Sequence, residues 1–183
     1  MKYGEMTWGQ MEAVVNKLCG MEGALQFLRG ETVVIAQSKE TTSIFPIQVN
    51  YDLRLEAAIK AGNYDWKNDD ITEKHFPSKR SGQAEIEIQL FHFNKVMTSE
   101  EVIQEMDKQG YRPAELPELL AFGAKYPDEQ RKYPIVALGS VYQYWDGDRY
   151  VSYLWRGDGE RDLGLIWFGV GWGASFRFAG VRK

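Results

Sequence analysis

The chain offers few groups for covalent or acid–base chemistry. Its two histidines are His75 and His92. His92 lies between Phe91 and Phe93 in a stretch that reads as a strand, where an imidazole is more often structural than catalytic. No Ser-His-Asp spacing, Walker-type phosphate loop or paired-cysteine metal motif is present. Cys19 is the single cysteine. An intramolecular disulfide is therefore impossible, and a reducing compartment is the plain reading. Gly169 to Gly173 is glycine-rich, but it precedes a strand rather than a helix, which argues against a phosphate cradle. Asp146, Asp148 and Asp158 suggest a calcium loop, but aspartate is also a turn former, the commoner reason for such spacing. No catalytic residue, metal or cofactor is expected.

What the sequence does offer is recognition chemistry. Trp145, Trp155, Trp167 and Trp172 are four of the six tryptophans. Tyr142, Tyr144, Tyr150, Tyr153, Phe168, Phe176 and Phe178 lie among them. Such a cluster is either the core of a β-rich domain or a mixture of core and exposed anchors. A net charge of −4 gives no reason to expect nucleic acid. No apolar run is long enough for a membrane span. The first residues, Met1 to Gln10, lack the apolar stretch of a signal peptide.

The elements that must position these residues are legible in part. Residues 7 to 29 read as helix, opened by a Thr7–Gln10 capping box and broken at Gly20. Thr32–Ile35 and Ile44–Val49 read as strands, the second demoted to an edge by Pro46. Leu53 to Ala61 reads as a helix stopped by Gly62-Asn63. Lys67 to Ser81 is polar and reads as a loop or linker. From Glu85 the pattern sharpens, with Ile86, Ile88 and Leu90 alternating inward. Thr98 and Glu101 make a capping box for a helix through Gln109. Tyr111-Arg112-Pro113 opens another, roughly Ala114 to Lys125, with Pro117 in its first turn. Short strands follow, joined by turns at Trp145–Asp148 and Gly157–Gly159. The expected class is α+β. The expected domains are a helical segment over 1–30, a connecting region over 31–84 and a main domain over 85–183.

One strand suggests which surface is displayed. From Arg161 to Phe168, Leu163, Leu165 and Trp167 share one face, and Asp162, Gly164 and Ile166 share the other. The first set is uniformly large and apolar, so it is expected to face the core with Tyr153 and Leu154. The second mixes an acid, a glycine and an aliphatic, unlike an ordinary solvated strand face. It is expected to face solvent.

Over residues 111–183 the chain resembles the variable proteins of diversity-generating retroelements. The resemblance rests on Tyr111-Arg112-Pro113-Ala114, Ala137-Leu138-Gly139-Ser140-Val141, Arg149, Val151 and Tyr153-Leu154. It continues through Leu163, Leu165, Trp167-Phe168, Trp172, Arg177-Phe178-Ala179 and Val181-Arg182-Lys183. It implies a C-type-lectin-like domain with two helices and short antiparallel strands, here preceded by a small helical segment. It also implies non-catalytic ligand binding by a surface that a reverse transcriptase diversifies through misread template adenines. Formylglycine-generating enzymes would be the catalytic relatives on such a fold, but they need C-terminal cysteines. A structural or assembly protein with a fixed partner is the other alternative. The Glu-Pro-Asn and Trp-Asn-Asp signatures of sugar-binding lectins are absent.

In such a system AAY codons are randomised at their first two bases, which reaches many residue types but not Trp, Lys, Glu, Gln or Met. The positions expected to form the binding surface are Tyr144, Asp146, Asp148, Tyr150, Gly157, Asp162, Gly164, Ile166, Gly169, Val170, Gly171, Gly173, Ala174 and Ser175. All hold reachable residues. Trp155 joins them as a contact residue that this route cannot write. Tyr144 and Tyr150 are the expected anchors, because tyrosine gives a large rigid contact at low entropic cost. The expected partner is a protein or cell-surface ligand, met in a cytoplasmic or viral setting.

Overall fold

In the computed structural model the chain falls into two compact units, Met1–Thr41 and Thr42–Lys183. The structure describes residues 44–183 and, before them, residues 7–17, 21, 22, 25 and 29. In the first unit, helix α1 spans Trp8–Lys17. The Thr7–Gln10 capping box involves the Gln10 side chain, which is not described, and the break at Gly20, the Thr32–Ile35 strand and Cys19 lie outside the described residues.

The second unit is built on eight strands. These are β1 (Ile44–Asn50), β2 (Trp66–Lys67), β3 (Gln83–Phe91), β4 (Tyr111–Pro113), β5 (Ile135–Gln143), β6 (Arg149–Gly157), β7 (Glu160–Trp167) and β8 (Arg177–Arg182). They form one sheet in the order β1-β3-β8-β5-β6-β7-β2, with β4 also paired to β8. The pairs β5–β8 and β2–β7 are parallel and the others antiparallel. Helices α2 (Leu55–Gly62), α3 (Ser99–Lys108), α4 (Leu116–Lys125) and α5 (Glu129–Lys132) accompany the sheet.

This architecture overturns the expected C-type-lectin-like domain. Two helices and short antiparallel strands were expected, and a mixed eight-stranded sheet with four helices is found. The strand lengths carry the difference, since β3, β5 and β6 each run nine residues. Part of the sheet also comes from residues 44–84, through β1 and β2. Pro46 is tolerated because β1 is an edge. Tyr111-Arg112-Pro113, read as the opening of a helix, is instead the strand β4. The stretch read as a linker is packed, with Ile71 and Phe76 buried in the core.

The sheet is covered on both faces. On one, Leu116, Leu119, Leu120 and Phe122 of α4 meet Ile135, Ala137, Leu154 and Leu163. On the other, Val102 and Met106 of α3 meet Val136, Leu138, Val151, Phe168, Trp172 and Phe178. Consecutive residues of β5 therefore enter opposite cores, and Ile135–Leu138 is an unbroken apolar run because neither face is wet. The Thr98–Glu101 capping box forms as expected. α4 takes Pro117 in its first turn, and Asn63 ends α2 in the left-handed region.

Two-sided burial also revises the reading of β7. Leu163 and Leu165 do face the α4 core, but Trp167 on the same face lies past its end and is 48% exposed. Asp162, Gly164 and Ile166, all expected in solvent, are not there: Asp162 and Gly164 are buried and Ile166 packs on the α3 core. Trp172 is 1% exposed, and its indole Nε1 donates to Ser99 Oγ at 2.9 Å. Trp172→Ala is thus expected to cost about 3–5 kcal/mol and Trp167→Ala less than about 1 kcal/mol. Urea melts of the two variants check this, and equal losses would overturn the assignment of β7.

Candidate functional site

The even-numbered residues of β7 and the odd-numbered residues of β6 share the face covered lower down by α3. The register pairs Val151 with Ile166, Tyr153 with Gly164 and Trp155 with Asp162. Trp155, Gly157, Asp162, Gly164 and Ile166, all expected at the binding surface, are therefore brought together. Val170 packs against the same core as Tyr153 and Ile166. At the top, Asp158 and Gly159 form a two-residue turn with φ of 45° and 97°. Such turns match the twist of a hairpin, and this one fixes the register of the whole pair.

The upper half of this face is aromatic around a single acid. The rings of Tyr153 and Trp155 stack at 5.9 Å. Asp162 lies beside Trp155 in the β6–β7 ladder and beside Trp66 in the parallel β7–β2 ladder. Trp66 is 50% exposed. A Cβ at Gly157 would lie 2.5 Å from Asp162 Oδ2 and 3.2 Å from the Trp155 ring, so the carboxylate and the indole adjoin over this bare backbone. Asp162 is 7% exposed, and its Oδ1 has no hydrogen-bond partner, nor has Trp155 Nε1. Burial, followed by the carboxylates of Asp65 and Asp158, pushes the Asp162 carboxyl above its ordinary value.

Backbone and buried side chains hold this pair from behind. Gln130 Nε2 donates to the carbonyls of both Trp155 and Asp162, at 2.8 and 3.2 Å. Its Oε1 accepts from Arg161 Nη2 at 3.1 Å. The same guanidinium donates to the carbonyls of Gly62, Asn63 and Gly123.

The other expected positions fall into two groups. Gly169, Gly171, Ala174 and Ser175 are exposed and Gly173 half-buried, on the loop after β7. That loop is pinned by a bridge between Met97 and Trp172. Tyr144 and Tyr150 lie on the opposite face of the sheet, where Tyr142, Tyr144 and Tyr150 form a chain of edge contacts. His75 stacks on Tyr142 at 4.0 Å and donates from Nδ1 to the Asp70 carbonyl. The two expected anchors are thus separated from Trp155 and Asp162 by the thickness of the sheet. Asp146 and Asp148 are exposed in the β5–β6 turn, where Asp146 accepts from the Asp148 amide at 3.0 Å. That is a turn former's role.

No family model, curated protein or solved structure matches the chain.

Chemistry beyond binding has little to work with among the described residues. His92 Nε2 donates to the Ala174 carbonyl. No three His, Cys, Asp or Glu side chains among the described residues converge as a metal site requires. No described helix is long and apolar enough to cross a membrane. A cleft of about 650 Å³ opens between β1, α2 and α4, lined by Tyr51, Leu55, Phe76 and Leu120. Two acids at its mouth are engaged on backbone, Asp52 accepting from Gly82 N and Glu73 from Leu55 N. None of the expected binding residues lines it.

Trp66 was missed in the sequence because its strand is two residues long and pairs with a partner nearly a hundred positions away. Tyr153 was assigned to the core and is only half-buried.

The raised Asp162 carboxyl has a consequence for stability. A folded-state value above the unfolded one means that the native state binds the proton more tightly. Stability should then be flat below the ordinary value of 3.8, fall as pH rises through the raised folded value, and be flat again above it. Asp162→Asn is expected to remove that decline. Denaturant melts of both proteins across the acid range check it, and an unchanged pH profile in the variant would overturn the assignment.

Proposed function

We propose that this chain is a non-catalytic ligand-binding protein. Its binding surface is the β6–β7 face together with the loop over residues 169–175, and retroelement mutagenesis diversifies the side chains displayed there. The resemblance over residues 111–183 motivates this reading. It does not depend on the lectin fold, because the requirement is a rigid backbone that tolerates exchange of chosen side chains.

The observation that carries the reading is what surrounds the glycines. The atoms nearest a side chain at Gly157 would be those of the Asp162 and Trp155 side chains. At Gly164 the nearest atoms would be those of the Tyr153 ring, and at Gly169 those of the Trp167 ring. Gly173 faces open space, and Gly171 has only Val96 in van der Waals contact. Side-chain ends can swing aside at small cost. Gly139, which the resemblance places among the fixed residues, differs. A Cβ there would lie 2.6 Å and 2.7 Å from the backbone oxygens of Ala114 and Pro113. Backbone in a packed sheet cannot yield in that way. At the glycines offered for diversification no backbone atom is among the nearest neighbours, whereas at Gly139 the nearest atoms are all backbone.

Sequencing the DNA around the gene tests the reading. The expected result is a near-copy of the 3′ end beside a reverse transcriptase gene. Its mismatches should lie at template adenines and fall in codons such as those of Asp162, Gly164, Val170 and Ser175. The codons of Leu163, Trp172 and Phe178 should be unchanged. Absence of any such repeat would overturn diversification and leave a binding face of fixed composition.

A further inference from the structure

The charges of the β6–β7–β2 surface are sorted by face. Arg156 and Arg161 are partners in the ladder and lie on the α4 side, where the Arg161 guanidinium is consumed by carbonyls. Lys67 is the ladder partner of Leu163 on that same side, and its ammonium is paired with Asp69. The opposite side carries Asp162, with the carboxylates of Asp65 and Asp158 near enough to raise its proton affinity. The one basic residue of these three strands on that face is Arg149, at the opposite end of β6, where its guanidinium lies over the Phe168 ring and pairs with Glu100.

We propose that the Asp162 pocket, walled by Trp155, Trp66 and Tyr153, receives a lysine or arginine side chain of a protein partner. The proposal deepens the binding reading and rests on it. Asp162 is more than nine-tenths buried, and its Oδ1 is shielded from solvent without a hydrogen-bond partner, so once the side chains over it shift it can gain a charge-assisted bond without giving one up. Indole faces attract ammonium and guanidinium groups, and tryptophan does so best. Trp66 and Trp155 flank the carboxylate from the two neighbouring strands, and Tyr153 extends the aromatic wall by stacking on Trp155. An anion would meet three carboxylates here. A purely apolar group would leave the buried Oδ1 unsatisfied. The half-exposed walls form an open shelf rather than an enclosed cavity, which suits a side chain presented on a macromolecule.

The test uses the intact chain labelled with ¹⁵N and the peptide Ac-Gly-Gly-Lys-Gly-Gly-NH₂, its arginine counterpart and its norleucine counterpart. The indole N–H resonances are the readout, since each tryptophan gives its own signal. The lysine and arginine peptides are expected to shift the Trp66 and Trp155 signals saturably, and the norleucine peptide is not. Asp162→Asn is expected to weaken the binding about tenfold or more while leaving the signal of the buried Trp172 in place, which reports that the variant is folded. Trp66→Leu, at an exposed edge, is expected to weaken it without loss of fold. Equal binding of all three peptides, no shift with either cationic peptide, or undiminished affinity in Asp162→Asn would overturn the proposal. Panning a random heptapeptide library on the chain separates the two levels. Enriched peptides without Lys or Arg that shift the Trp155 signal would sink the cation and keep the binding face. Failure to enrich any peptide would sink the binding face as well.

Discussion

The buried guanidinium of Arg161 is the interaction on which the rest of the domain depends. It donates to Gly62 and Asn63 at the end of α2, to Gly123 near the end of α4, and to Gln130 in α5. The last carbonyls of a helix have no partner within it and carry its negative end. One cation thus satisfies the ends of two helices at once, and the Tyr64 ring lies 5.1 Å from it. A charge removed from water is tolerable only when it is so engaged, and here both Nη atoms are bonded while the buried Nε has no partner. Because strand side chains alternate, fixing Arg161 on the α4 side commits Asp162 to the other. The acid at the candidate site is placed by the arginine beside it.

An ion pair between Arg112 and Glu118 does comparable work in the first turn of α4. Glu118 is fully buried and accepts from both Arg112 Nη atoms, from Tyr51 Oη and from the Glu115 amide. It joins β4, the end of β1 and α4. Burial and the Glu118 carboxylate together push the Tyr51 hydroxyl up to about 12, so it stays protonated and donates. The two clusters tie residues 44–84 to the C-terminal half, which makes the middle of the chain part of the sheet. The site uses that tie directly, since β2 supplies Trp66.

Much of the local structure was legible because it is locally encoded. The capping box at Thr98, the stop at Gly62-Asn63, the first-turn Pro117 and the turn at Asp158-Gly159 each follow from a few neighbouring residues. The topology was not, because it rests on pairings between distant segments. The parallel contacts of β5 with β8 and of β2 with β7 leave no short-range mark, and without them the strands looked like an antiparallel run. Trp167, Asp162, Gly164 and Ile166 were assigned to the wrong environments for a related reason. Period-two alternation tells which residues share a face, but a sheet covered on both sides has no wet face to name. Where α4 ends and where the loop after β7 folds back decide exposure, and neither is written in β7. The grouping of Trp155, Gly157, Asp162, Gly164 and Ile166 survived because it required only alternation and a tight turn. The Tyr144–Tyr150 pair did not join them, since shared chemistry says nothing about which side of the sheet a residue takes.

The proposed surface has a division of labour that follows from the genetic code and the ladder together. Asp162 is reachable from a randomised AAY codon; Trp155 is not, and Trp66 lies far upstream of the region that would be rewritten. A variable centre would therefore sit between two constant indoles. Their faces attract cations when the centre is acidic, and they offer large apolar area when it is not. Such walls would lend affinity to many partners, and the residue between them would choose the charge. Confining variation to the centre also protects the fold, because the carbonyls of Trp155 and Asp162 stay bound to Gln130 whichever side chain position 162 carries. The hydrogen bonds from Gln130 take only main chain from position 162, so exchange of that side chain would leave them in place. That arrangement lets the surface change while its support does not.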